Sequence, residues 1–172
     1  MKVSTKEEAM PPIKIRSEIF ETGNPRIKSA RIVIKAKPET VFELLANPYK
    51  HSEIDGTKTV KYNVKGPERL DLGAKFRMAM HLGIHYRITN KVVEFEENKL
   101  IAWSHFAGWR WRHELKDLGN GLTEVVETFD GTYSRWFGQA WLKFREAYPK
   151  TQKIVAKSLV RLKEVAEMVE AR

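Results

Sequence analysis

The order of hydrophobic periods along this 172-residue chain predicts an α+β domain. In it a curved antiparallel sheet of six to seven strands wraps around one long C-terminal helix, with two short helices after the first strand. Three observations predict this arrangement. An alternating segment gives way at once to short helical spacing; residues 57–129 then read as strands separated by turn residues at short intervals; and the last segment returns to an apolar repeat of three or four residues. A helix with one apolar stripe must bury it, and the only large partner here is the concave face of the sheet.

Each element has its own signal. Residues 1–28 form an N-terminal extension broken by Pro11-Pro12 and Asn24-Pro25, in which Ile13, Ile15 and Ile19 alternate with charged residues as a candidate edge strand. From Ala30, the alternation of Ala30, Ile32, Ile34 and Ala36 with Arg31 and Lys35 marks a strand with one buried face. Pro38 suits a helical first turn, Val41, Phe42, Leu44 and Leu45 follow as its apolar face, and Asn47-Pro48 ends it. A second short helical turn covers 49–54. Strands are then expected around Val60–Val64, Phe76–Leu82, Tyr86–Phe95, Leu100–Phe106, Trp109–Leu115 and Leu122–Phe129. A short helical segment over 139–148 leads into the long helix, where Val155, Leu159, Leu162, Ala166 and Val169 form the stripe and Pro149 sits in the first turn.

Composition sets limits on function. Hydrophobic residues make up 42% of the chain and aromatic residues 10%, enough for a packed interior in one domain. With no Cys, disulfides, thiolate metal sites and cysteine nucleophiles are excluded together. No apolar run reaches the roughly 18 residues that a membrane span needs, and acidic residues stand where a signal peptide would be apolar, so the chain reads as soluble and cytoplasmic. The net charge of +9 raises the question of nucleic acid. The excess, however, lies in the tails: residues 1–37 carry 9 basic and 4 acidic side chains and residues 150–172 carry 6 and 3, while 38–149 carry 16 and 15. The one basic-aromatic run, Trp109-Arg110-Trp111-Arg112, would send its Trp and Arg to opposite faces of a strand, which argues against a nucleic-acid groove.

Several stretches carry a family resemblance: 34–46 (IKAKPETVFELLA), 72–78 (LGAKFRM), 92–103 (VVEFEENKLIAW), 111–115 (WRHEL), 121–130 (GLTEVVETFD) and 158–167 (SLVRLKEVAE). With the element order, they resemble the helix-grip fold of the Bet v 1-like and START-like proteins (the SRPBCC superfamily). Within it they are similar to the polyketide cyclase/dehydrase and lipid-transport group. The resemblance covers 29–172 and rests on structural turns, strand aromatics and the helix, with no catalytic signature. It implies a cavity between sheet and C-terminal helix that binds a hydrophobic or amphipathic small molecule, lipid-like or polyketide-like. The alternative it implies is a polyketide cyclase or dehydratase. A further alternative, carried by the basic tails, is an anionic membrane or nucleic-acid partner.

The candidate ligand-binding residues are Phe76, Met78 and Met80 on one strand face, Tyr86 and Ile88 on the next strand, Trp109, Trp111 and His113 on a third, and Trp136 where the last strand hands over to helix. The same side chains would equally fill a solid core. The candidate catalytic residues are His113 as general base, in phase with two Trp, and Glu127 and Tyr133 as acid or orienting groups. Against these stand a hydrogen-bonded core His and a solvated strand carboxylate. No metal or cofactor is expected: His81 and His85, four apart on what reads as one strand, would lie roughly 13 Å apart, and there is no phosphate loop, nucleophile elbow or dinucleotide fingerprint. An exposed edge strand at 13–20 offers a route to a homodimer.

Overall fold

The computed structural model describes residues 16–172, and within them the expected architecture is present. Eight strands form one antiparallel sheet: β1 (Glu18–Phe20), β2 (Ile27–Ile34), β3 (Val60–Lys65), β4 (Lys75–Leu82), β5 (Ile84–Glu96), β6 (Leu100–Ser104), β7 (Arg110–Gly119) and β8 (Leu122–Asp130). Their order across the sheet is β1-β2-β8-β7-β6-β5-β4-β3. The strands after β2 thus form a meander that ends beside β2, and the link from β2 to β3 crosses the sheet from one side to the other. The count exceeds the expected six to seven because β1 adds a short edge to β2, with Glu18 opposite Arg31 and their side chains paired at 2.8 Å. Ile13 and Ile15 lie outside the described residues.

The crossing link holds α1 (Pro38–Ala46), a 3₁₀ turn at Pro48–Lys50 and α2 (His51–Ile54). Pro38 opens α1, and the Asn47 side chain accepts from the Tyr49 amide at 3.0 Å to start the next turn. After α2, the Asp55 carboxylate accepts from the Thr57 and Val60 amides at 2.8 and 2.7 Å and steers the chain into β3. α3 (Trp136–Phe144) and α4 (Ala147–Glu170) complete the fold, separated by a break at Glu146, whose φ is 47°.

α4 buries Val155, Leu159, Leu162, Val165 and Ala166. It is tied to β2 along its length: Gln152 Nε2 donates to the Ser29 carbonyl at 2.9 Å, Lys163 Nζ to the Val33 carbonyl at 2.8 Å, and the Lys35 amide to Glu167 at 2.7 Å. Gly56 lets the chain after α2 pass against the helix backbone, since a Cβ there would run into the Lys157 carbonyl.

One local expectation fails. His81 and His85 do not share a strand: the chain reverses at Gly83 (φ 78°), placing them opposite each other at the end of the β4–β5 hairpin with ring centroids 4.4 Å apart instead of roughly 13 Å. A single glycine at positive φ within an otherwise alternating run made this reversal. Among the described residues no cluster of three or more His, Cys, Asp or Glu is placed to hold a metal ion.

Candidate ligand-binding cavity

The concave face of the sheet does not close completely on α4. A cavity of about 370 Å³ lies between strands β4 to β8 and the helices, and its walls are predominantly apolar. Met78 and Met80 come from β4 and Tyr86 and Ile88 from β5; Trp109 precedes β7, which contributes Trp111; and Leu142, Ile154 and Leu162 come from α3 and α4. Its outer end reaches side chains exposed to solvent, including Leu82, Tyr86, Trp141, Arg145 and Lys150.

Strand alternation explains most of this wall. Odd positions of β7 face inward, so Trp111, His113 and Leu115 follow Trp109 on one side. Arg110 and Arg112 point outward and both pair with Glu94, at 2.8 and 3.0 Å. On β8 the same alternation buries Thr123, Val125, Glu127 and Phe129.

The inward positions bring His113 and Glu127 directly opposite each other, with Nε2 and Oε1 3.7 Å apart and both side chains buried. Among the described residues no cationic side chain offsets the burial of either. Desolvation therefore holds the Glu127 carboxyl well above the usual carboxylate range, helped by the charge of Asp55, and pushes the His113 imidazole down to about 3, helped by His51. At neutral pH the imidazole is uncharged, and the carboxyl gives up its proton less readily than an ordinary Glu.

Trp103 links this pair to a second buried histidine. Its indole stacks on His113 at 5.0 Å and on His51 at 4.9 Å. His51 Nε2 bonds to the Leu45 carbonyl at 2.8 Å, and burial lowers its pKa to about 4. A third, His105, accepts the Ala107 amide on Nδ1 at 3.1 Å, which places the proton of the neutral ring on Nε2. Burial lowers its pKa to about 4 as well. Among the described residues neither His105 Nε2 nor His113 Nδ1 has a hydrogen-bond partner, and both rings line the cavity. Asn90 lies buried on the same wall, its amide directed at Met78 sulfur.

The structure thus brings together Met78, Met80, Tyr86, Ile88, Trp109, Trp111, His113 and Glu127. It does not bring Phe76, Tyr133 or Trp136 to the cavity. Phe76 packs behind the wall, edge-on to His51 at 5.4 Å and to Trp103 at 5.8 Å. Tyr133 lies in the loop before α3, its ring under the Arg110 guanidinium at 3.6 Å, and Trp136 projects into solvent from α3. Sequence reasoning missed His51, Trp103, His105 and Trp141. The parity that buries Ile101 also turns Trp103 and His105 inward, a signal legible in the sequence; the positions of His51 and Trp141 depend on how separate helices dock.

Comparison with known proteins agrees with this fold. The family described as polyketide cyclase / dehydrase and lipid transport matches residues 27–167. The chain belongs to that family. Among curated proteins, an uncharacterized protein of Mycobacterium tuberculosis is 41% identical over 113 residues, 65% of this chain and 50% of that protein. The chain spans about half the length of the curated relatives it matches. Among solved structures, a Rhodobacter sphaeroides protein aligns with a TM-score of 0.64 at 16% identity, covering 90% of this chain and 99% of that one. An aromatase/cyclase of a Streptomyces species aligns with a TM-score of 0.60 at 15% identity, covering 83% and 93%. A Colwellia psychrerythraea protein solved as a dimer aligns with a TM-score of 0.53 at 19% identity, covering 83% and 96%. At these identities the structural likeness carries the fold alone. No helix among the described residues is long and apolar enough to cross a membrane.

Proposed function

We propose that this member of the family binds a hydrophobic or amphipathic small molecule, of lipid-like or polyketide-like character, inside the cavity. The observation that carries the reading is a hollow of about 370 Å³, walled by Trp and Met, in which buried imidazole nitrogens stand unpartnered among the described residues. Burying a guest's apolar body there gains roughly 25 cal/mol per Å², and a guest oxygen facing His105 Nε2 would satisfy a donor that is otherwise costly to bury. Native mass spectrometry of the purified protein should show a co-purified guest or uptake of an added aromatic such as 2-naphthol. Ile88→Trp, which sets a bulkier ring into the hollow, should weaken that uptake while the protein stays folded. Uptake by this variant at the parent affinity would overturn the reading.

The buried His113–Glu127 pair favours a second reading, a cyclase or dehydratase. In it Glu127, not His113, handles the protons: an imidazole whose pKa is near 3 is a weak base at neutral pH, whereas a carboxyl pushed above its usual range can donate its proton to a leaving hydroxyl, which departs as water, and the carboxylate so formed can take the proton from the adjacent carbon as the double bond forms. His113 then orients the guest through Nδ1, and Tyr133 has no part. Glu127→Gln should remove turnover of a bound guest with little change in its affinity, and turnover at the parent rate would discard the assignment.

A further inference from the structure

We propose that α3, together with the loop before β7, is a docking surface for an anionic phospholipid bilayer. The proposal concerns the outside of the molecule and stands whether or not the cavity holds a guest.

α3 is apolar on both sides. Its inner side buries Gly138 and Leu142, and a Cβ at Gly138 would come within 2.7 Å of the Ala107 carbonyl, so the helix is pressed close against the loop. Its outer side presents Trp136 and Phe144, eight residues apart and therefore on one helical face, at 83% and 84% exposure. Phe106 of the adjoining loop is 74% exposed and stacks on Phe137 at 6.1 Å, extending the patch. Trp141, half exposed, stacks on Trp109 at 5.8 Å and carries the apolar surface to the cavity mouth. Large aromatic side chains held this far into water mark an interaction surface.

Charge selects the occupant. Residues 133–150 hold four bases, Arg135, Lys143, Arg145 and Lys150, against one acid, Glu146. Lys143 follows Trp136 by seven residues and so shares its face. Aromatic rings with Lys and Arg around them match the acyl-headgroup boundary of an anionic leaflet. Three exposed rings offer roughly 500 Å², short of the roughly 800 Å² per partner that a stable protein interface buries, whereas shallow insertion into a bilayer needs no such area. The nine-residue helix is too short to span the membrane.

The test sediments the full chain with vesicles of phosphatidylcholine, with and without phosphatidylglycerol, at about 20 mM and about 0.5 M salt. Binding is expected only to the phosphatidylglycerol vesicles at low salt, roughly thirtyfold weaker in Lys143→Gln/Arg145→Gln and lost in Trp136→Ala/Phe144→Ala. Brominated acyl chains should quench the parent's tryptophan fluorescence. Trp136→Phe, which keeps the apolar surface, should lose most of that quenching, a readout that survives if the alanine variant fails to fold. Failure to bind anionic vesicles at low salt, binding unchanged in the folded alanine variant, or quenching unchanged in Trp136→Phe would each overturn the proposal. So would a dimer of the parent that the alanine pair dissociates without vesicle binding, which would assign the face to a second copy.

Discussion

β7 and β8 pass through both ends of this molecule, and the two ends differ. Where Leu115 faces Val125, the inner surface is packed solid beneath α1 and the last turns of α4, with Val41, Phe42 and Ala166 all fully buried. Two residues further along the same face, His113 opposes Glu127; beyond them come Trp111 and Phe129, and there the interior is hollow. Strand, register and parity are shared, so the difference lies in the helices that cover the sheet and in the side chains that meet them. Short aliphatics interdigitate with α1 and α4, whereas broad rings opposite a polar pair cannot be filled by the slender side chains of the first half of α4.

The largest effect should come from truncating each end in turn. Phe42→Ala removes a fully buried ring at the solid end and should cost about 3–5 kcal/mol in urea unfolding. Met80→Ala enlarges a hollow that already exists and should cost no more than about 2 kcal/mol, the low end for such changes. Equal costs would mean that the hollow end is packed as tightly as the other.

Next in size are the pH effects of the buried pair at the hollow end, opposite in sign for its two partners. The folded pKa of His113, about 3, lies below its ordinary value of 6.5, so the unfolded chain binds the extra proton. Stability is therefore present above pH 6.5 and is lost as pH falls toward 3, by about 1.4 kcal/mol per pH unit. Glu127 is raised from 4.5, so the folded chain holds the extra proton and stability falls as pH rises from 4.5 toward the folded pKa. In unfolding measurements across pH, His113→Phe should flatten the acid limb, and Glu127→Gln should raise stability near neutrality relative to pH 4.5. If neither variant changes the pH profile, the pair is not buried as described.

What was legible in the sequence follows the same division. Alternation in 109–115 and 122–129 placed the Trp, His and Glu side chains on the inner face, and the spacing from Val155 to Ala166 gave the helix that covers them, because period alone fixes which side a strand or helix buries. Glu127 was legible in parity but not in burial: a carboxylate in a strand is ordinarily solvated, and its place on the inner wall beside His113 keeps it from water. His51 was not legible as a partner of His113, since the two meet only when the short α2 docks on Trp103. Trp136 was expected among the ligand-binding residues and Tyr133 among the catalytic ones, because both stand near the handover from the last strand to helix. The phase of α3, which buries Gly138 and Leu142 instead, turns Trp136 to solvent.

The smallest expected effect marks where the hollow end stops. Tyr133 lies in the loop before α3, one chain reversal from the wall that Trp109 and Trp111 form, yet its ring packs on Arg110, an outward residue of β7, at 3.6 Å. Arg110 is in turn held by Glu94 at 2.8 Å, so the ring belongs to the outer ionic layer of the sheet. Removing the hydroxyl leaves that cation-π contact in place. Tyr133→Phe should therefore leave the affinity for 2-naphthol within about twofold, less than the tenfold that 1.4 kcal/mol represents, and should leave thermal stability unchanged. A tenfold loss would mean that the phenol reaches the guest, and that the cavity extends past β7 into the loop ahead of α3.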